Sequence, residues 1–133
     1  ITIAHNADYA LGLATSLRRG LEAVPEDMDA VLVCLGDMPL VEADTVRRLI
    51  AAFNPKEHRT ICVPVHRGIR GNPVLWGRTY FEAMAGLSGD HGAKGLMEQF
   101  ANDVAEIETA DDGVAMDADT LEALASLRSR LRP

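Results

Sequence analysis

Cysteine is nearly absent from this chain: two of 133 residues, Cys34 and Cys62. Each lies inside an apolar run, "AVLVCL" and "TICVPV". Neither has the cysteine or histidine spacing of a zinc ligand, which excludes a zinc-organised fold. Both are expected to be small buried hydrophobes in a reducing compartment. Basic residues are outnumbered, 13 Lys and Arg against 20 Asp and Glu, for a net charge of -7. That argues against a general nucleic-acid binder, which carries a basic patch. It leaves a nucleotide substrate open, because a bound cation can bridge carboxylates to phosphate. No apolar run is long enough to span a membrane and no signal peptide is visible, so a cytoplasmic protein without membrane partners is expected. There is no Ser-His-Asp or Cys-His arrangement for nucleophilic catalysis. The four histidines, His5, His58, His66 and His91, have no metal-ligand spacing. No linker, repeat or low-complexity tract divides the chain. An apolar fraction of 47% and a charged fraction of 25% fit one ordinary globular domain.

What is present is alternation. A helix is expected over 7–24, where Leu11, Ala14, Leu17, Leu21 and Val24 recur every three or four residues and Pro25 ends the run. "DAVLVCL" (29–35) is apolar throughout and reads as a central strand buried on both faces. A second helix over 42–53 sets Val46, Leu49, Ile50 and Phe53 on its inner face and stops at Asn54-Pro55. "TICVPV" (60–65) reads as a strand whose far end Pro64 keeps from a central place. "NPVLW" (72–76) is a short strand after the glycine-rich turn "HRGIRG". Helices follow over 78–87 and 93–102, then a half-buried alternating strand over 104–109, "DGVAM" as a further short strand, and a closing amphipathic helix over 117–131. This order means an α/β fold with a largely parallel sheet. In such sheets ligands gather beyond the carboxyl ends of the strands.

Four loops there carry candidate chemistry. Asp37 follows an apolar strand in "LGDMPLV", with Gly36 permitting close backbone approach and Pro39 stiffening the turn. A carboxylate fixed there suits Mg²⁺ held against substrate phosphates; it equally suits a cap on the following turn. Asp117 and Asp119 in "MDADT" either complete a sparse Mg²⁺ site or cap the closing helix. "RGIRGNPVLW" offers Arg67, Arg70 and Asn72 as anion or base contacts, with Gly68 and Gly71 letting backbone amides face a ligand, or else is a tight turn with solvated arginines. "LSGDHGAKGLM" sets Asp90, His91 and Lys94 ahead of a helix, as an anion site or as a loop capped by Asp90.

Taken in order, "NADYALGLATSLRRGL", "LGDMPLV", "RGNPVLW", "LSGDHGAKGL" and "DADTLEAL" resemble the motifs of the molybdenum-cofactor nucleotidyltransferases, the cytidylyltransferase branch above all, along nearly the whole chain. The resemblance implies a Rossmann-like three-layer α/β/α nucleotidyltransferase fold with a mostly parallel sheet. It implies that Asp37 holds a catalytic Mg²⁺, that Asp119, with Asp117 beside it, is a further metal-site candidate, and that Gly12, Thr15 and Ser16 lie near the nucleotide. "RGNP" and "GDHGAK" would line the side that receives the pterin, which draws in Arg70, Asn72, Asp90 and Lys94. Leu121 and Ala123 replace the proline and aspartate of the family's "T-P-E-D-L", while Glu122 is kept, and Lys94 retains positive charge where the family often has arginine. The family's opening strand and its "L-A-A-G-x-S-x-R-M-G" loop have no counterpart. Residues 1–133 are therefore expected to be the C-terminal portion of a single nucleotidyltransferase domain, inactive alone.

The implied function is Mg²⁺-dependent transfer of CMP from CTP to the molybdopterin cofactor with release of pyrophosphate. A molybdenum hydroxylase-type enzyme would be the onward acceptor. The alternatives are GTP as the nucleotide, a sugar phosphate as the acceptor, or a non-catalytic chaperone that binds the molybdenum cofactor. The retained acids count against the last.

Overall fold

Helices and strands interleave along the chain, with three strands in succession between residues 61 and 77. The structure, a computed structural model, describes residues 3–7, 13–34, 41–87 and 94–114. Its elements are α1 (Leu13–Glu22), β1 (Ala30–Val33), α2 (Ala43–Ala52), β2 (Ile61–His66), β3 (Ile69–Arg70), β4 (Val74–Gly77), α3 (Phe81–Ala85), α4 (Lys94–Gln99) and β5 (Val104–Glu108). The strands are ordered β1-β4-β2-β3, and β5 pairs with β2. β2 and β5 run parallel, joined through intervening helices, which makes the fold α/β of Rossmann-like class. The closing helix expected over 117–131 lies outside the described residues. Among the described residues no helix is long and apolar enough to cross a membrane.

The chain forms two compact units, one of residues 1–31 and 76–103, the other of 32–75 and 104–133, the division falling within β1 and β4. In the second unit β2 carries the core: Ile61, Cys62, Val63, Pro64 and Val65 are all buried. It pairs in parallel with β5 from Ile61↔Val104 to Val65↔Glu108, and antiparallel with β3 through Val65↔Arg70 and His66↔Ile69. Pro64 was expected to keep the end of this strand from a central place, yet it is fully buried between neighbours. The reason is geometric. In a strand the N–H and C=O of one residue point to the same side. The Pro64 carbonyl accepts from the Gly71 N–H at 2.9 Å, whereas the Val65 carbonyl faces the other way and accepts from the Thr109 N–H at 2.9 Å. The missing proline donor therefore falls on the hairpin side and leaves the β2–β5 ladder whole.

Two further expectations change. β1 is half-buried along its length and ends the described strand order, so the doubly covered strand is β2. A continuous apolar run does not by itself fix how deeply a strand is buried or where it sits in the sheet. On α2 the buried stripe is Thr45 and Leu49, one turn apart, and Ile50, about 100° further round the helix, is 57% exposed. Asn54-Pro55 does end that helix: Phe53 turns to extended backbone and residues 55–57 form a separate 3₁₀ turn. "DGVAM" is no strand in its described part, since residues 112–114 form a 3₁₀ turn.

In the first unit Trp76, Tyr80 and Met84 are buried with Leu96 and Met97. Tyr80 meets Trp76 edge-on at 6.2 Å between ring centroids and Phe100 at 5.0 Å, arrangements that aromatic quadrupoles favour. Arg18 of α1 donates to the Ala85 and Leu87 carbonyls (2.8 and 3.1 Å) at the end of α3, where a cation suits the helix dipole. Arg78 binds the loop of residues 25–29 between α1 and β1: its N–H donates to Asp29 O at 2.8 Å, its Nε to Met28 O and its terminal nitrogen to Pro25 O, both at 2.6 Å. Its guanidinium also lies 4.9 Å from the Phe81 ring centroid.

The two thiols differ. Cys62 is buried, as expected, whereas Cys34, one residue past the end of β1, is exposed. Burial pushes the Cys62 thiol up to about 11, against the opposing pull of Arg59. Partial burial also raises the Cys34 thiol. Native protein treated with iodoacetamide at pH 8 should therefore take up one adduct slowly, at Cys34. Intact and peptide mass spectrometry read the site, and Cys62 should label only after unfolding.

Candidate functional site

Asp111 is a buried carboxylate, 5% exposed, with three hydrogen bonds to its oxygens. Its Oδ2 accepts from the Glu42 N–H at 2.9 Å and from the Thr45 hydroxyl at 2.7 Å; its Oδ1 accepts from the Gly113 N–H at 2.9 Å. The Thr109 hydroxyl in turn accepts from the Asp111 N–H at 3.0 Å. Glu42 is the N-cap of α2 and makes no side-chain cap of its own. A carboxylate distant in sequence thus does what a capping box does locally, and its charge suits the positive end of the helix. Sequence reasoning missed Asp111. The available signal was the spacing Thr109-x-Asp111-x-Gly113, in which hydroxyl and carboxylate each bond the backbone two residues on.

The hairpin from β2 to β3 turns on Arg67 and Gly68, with φ of 52° and 78°. Two positive φ values in a two-residue loop mark a type I′ turn, which favours Asn-Gly. Arginine there costs about 1 kcal/mol of backbone strain. Beyond the turn the chain is pinned inward. The Gly71 N–H bonds Pro64 O and the Asn72 N–H bonds Val114 O at 2.8 Å, so neither backbone amide is offered to a ligand. The Asn72-Pro73 peptide is cis. Arg70 pairs with Glu106 at 2.8 Å on the surface, a weak interaction in water.

At the carboxyl ends of β2 and β5 lies an open concavity of about 650 Å³, lined by Arg48, His66, Arg67, Glu108, Thr109 and Ala110. His66 Nδ1 stands 3.0 Å from the Thr109 carbonyl. A carbonyl only accepts, so Nδ1 is the donor in this contact. The Arg48 and Arg67 guanidiniums share this hollow with the Glu108 carboxylate, so its lining carries charge of both signs.

Of the residues singled out from sequence, Thr15 and Ser16 lie on α1 and are brought together by Asn6, whose Nδ2 donates to both hydroxyls at 3.0 Å. Arg70 and Asn72 flank Gly71 after the hairpin, and Lys94 opens α4. Gly12, Asp37, Asp90, His91, Asp117 and Asp119 lie outside the described residues. Among the described residues no three His, Cys, Asp or Glu side chains converge as a metal site. Asp37, Asp117 and Asp119 carry hard oxygen donors, the chemistry that Mg²⁺ and Mn²⁺ take.

Known proteins agree with this architecture. Over 75 residues the chain is 37% identical to the molybdenum cofactor cytidylyltransferase of Escherichia coli (strain K12), an alignment covering 56% of this chain and 36% of that protein. The crystal structure of a Mycobacterium tuberculosis Rv0371c homologue from Mycobacterium sp. strain JC1 is similar at a TM-score of 0.76 and 28% identity, covering 90% of this chain and 58% of that one. Rv0371C from M. tuberculosis H37Rv, solved in complex with manganese, gives 0.73 and 31%, covering 84% and 58%. The chain thus spans about a third of that cytidylyltransferase and little more than half of these solved chains. Residues 1–105 match the MobA-like NTP transferase domain, and the chain belongs to that family.

Proposed function

We propose that residues 1–133 are part of one nucleotidyltransferase domain that transfers CMP from CTP to the molybdopterin cofactor. The observation that carries this reading is the 37% identity to the E. coli cytidylyltransferase. The acceptor phosphate oxygen forms a bond to the α-phosphorus of CTP, the bond from that phosphorus to the α–β bridging oxygen breaks, and pyrophosphate leaves. No protein nucleophile takes part. Asp37 and Asp119, with Asp117 as a further candidate, would hold the divalent ion, which would offset charge on the α-phosphate and the leaving pyrophosphate. A relative's complex with manganese supports a divalent ion of this kind. Gly12, Thr15 and Ser16 lie against the nucleotide, the two hydroxyls oriented by Asn6. Arg70, Asn72, Asp90 and Lys94 line the pterin side. The protein's work is positioning and charge neutralisation, as in phosphoryl transfer generally. The setting is cytoplasmic, and the product passes to a molybdenum hydroxylase-type enzyme.

The test is pyrophosphate release by the full-length gene product with molybdopterin and either CTP or GTP, at fixed Mg²⁺. CTP is expected to exceed GTP at least tenfold in kcat/KM, and the 133-residue chain alone to release none. A preference for GTP would move the protein to guanylyl transfer. Cofactor binding without release from either nucleotide would leave the chaperone.

A further inference from the structure

We propose that the hollow beyond β2 and β5 holds the acceptor substrate, with Arg48 and Arg67 on its phosphate and Glu108 on the N–H edge of its pterin ring; this rests on the molybdopterin reading above. Among the described residues the side chains of Arg48, Arg67 and Glu108 make no hydrogen bond or ion pair, although all three line one concavity. Arg19, Arg59 and Arg70 each hold a glutamate instead. Strand register sets Arg70, Val65 and Glu108 in one row across β3, β2 and β5. Glu106 and Glu108, two residues apart, share a face of β5. Arg70 nevertheless pairs diagonally with Glu106, and Glu108 is left to the hollow. Arg67 lines the hollow from a left-handed turn position that asparagine fills more readily, and backbone strain of that kind gathers at ligand sites.

The mixture of charges selects the ligand. A guanidinium presents paired N–H donors to phosphate oxygens. A carboxylate only accepts, so Glu108 repels a bare anion and favours one that also carries donors. A pterin ring supplies them: its pyrimidine edge sets a ring N–H beside an amino group, two parallel donors for the two carboxylate oxygens. Cytosine offers one amino donor beside an acceptor nitrogen, so its edge fits a carboxylate poorly. The volume of about 650 Å³ falls within the range of small-ligand sites, about 300–1,000 Å³. The place, beyond the carboxyl ends of parallel strands, is where such sheets bind ligands.

The experiment is calorimetric titration of the full-length protein with molybdopterin, without oxygen, nucleotide or metal, and separately with inorganic phosphate. Arg48→Gln should raise the Kd for both. Glu108→Gln should split them. Molybdopterin binding weakens about tenfold, as for a lost charged hydrogen bond, while phosphate binding tightens because a repelling charge is gone. A side chain that only shapes the surface would not move the two in opposite directions. Arg47→Gln, on α2 but outside the lining of the hollow, controls for net charge and should change neither Kd by more than about twofold. All three side chains are exposed, so these variants should fold. Wild-type molybdopterin affinity in either Arg48→Gln or Glu108→Gln overturns the assignment, and pyrophosphate release from CTP by the same proteins then leaves the transferase reading standing. Failure of the unsubstituted protein to bind molybdopterin overturns it as well. Tighter binding of GMP, whose guanine carries the same donor edge, would give the hollow to a nucleotide and overturn the pterin assignment. Binding that is weakened in both variants, with no pyrophosphate release by the unsubstituted protein, removes the transferase reading and keeps the hollow as the site of a carrier.

Discussion

Asp37→Ala in the full-length protein is expected to lower kcat for CMP transfer by about a thousandfold, equivalent to about 4 kcal/mol of transition-state stabilisation. Magnitude separates the two roles that the sequence leaves open for this residue. A carboxylate that only caps a turn is worth about 1 kcal/mol of stability, and its loss would shift the melting temperature by a few degrees with kcat unchanged. A carboxylate that holds the divalent ion has the opposite signature. Its removal leaves the melt in place, cuts kcat, and raises the metal needed for half-maximal rate. Pyrophosphate release across a Mg²⁺ titration, run beside thermal melts, reads both. Transfer within threefold of wild type at limiting Mg²⁺ would remove Asp37 from the metal site and return the chaperone to contention.

Gly71→Ala should be strongly destabilising. A Cβ at that position would stand 2.1 Å from the Val114 carbonyl oxygen and 2.6 Å from its carbon. Both are backbone atoms, so no side chain can swing aside. Relief requires the chain after β3 to move, which loosens the Gly71 and Asn72 amide bonds to Pro64 and Val114. Overpacking and two weakened buried hydrogen bonds together cost about 3 kcal/mol, a melting shift of roughly 10 °C for a domain of this size. Gly20→Ala is the control. It lies within α1 with nothing inside 4 Å of its Cβ, and it should stabilise by about 0.5–1 kcal/mol. Equal melts for the two variants would show that the 71–114 contact is looser than its geometry.

The sequence made the α/β order legible because helix and strand periodicities are local. β2, β5 and α2 fall within a residue or two of their expected spans. Relations between segments were less legible. The apolar run of β1 resembles that of β2, but only the pairing order distinguishes them. Pro64 misled because its effect depends on which way its missing donor points, and strand phase is set by partners distant in sequence. Ile50 misled for a similar reason: the face of α2 that turns inward is set by Thr45 reaching Asp111 as much as by apolarity. Asp111 itself was passed over because its partner residues lie 66 and 69 positions away. For the candidate site, ordered motifs identified the family, while the Asn6–Thr15–Ser16 cluster and the hollow beside His66 emerge only in three dimensions.

Arg78 has a consequence for where this polypeptide can be opened. Residues 25–29 are exposed and polar, with a proline at their head, the profile of a loop that accepts inserted sequence or new chain ends. Yet three carbonyls of that loop, on Pro25, Met28 and Asp29, are acceptors for one arginine at the start of the segment leading into α3. An epitope tag, a fused domain or a circularly permuted terminus placed there would strip the guanidinium of its partners and cut the link from α1 to β1 at its best-fastened point. Exposure makes the loop reachable, but its bonded carbonyls make it a poor place to cut.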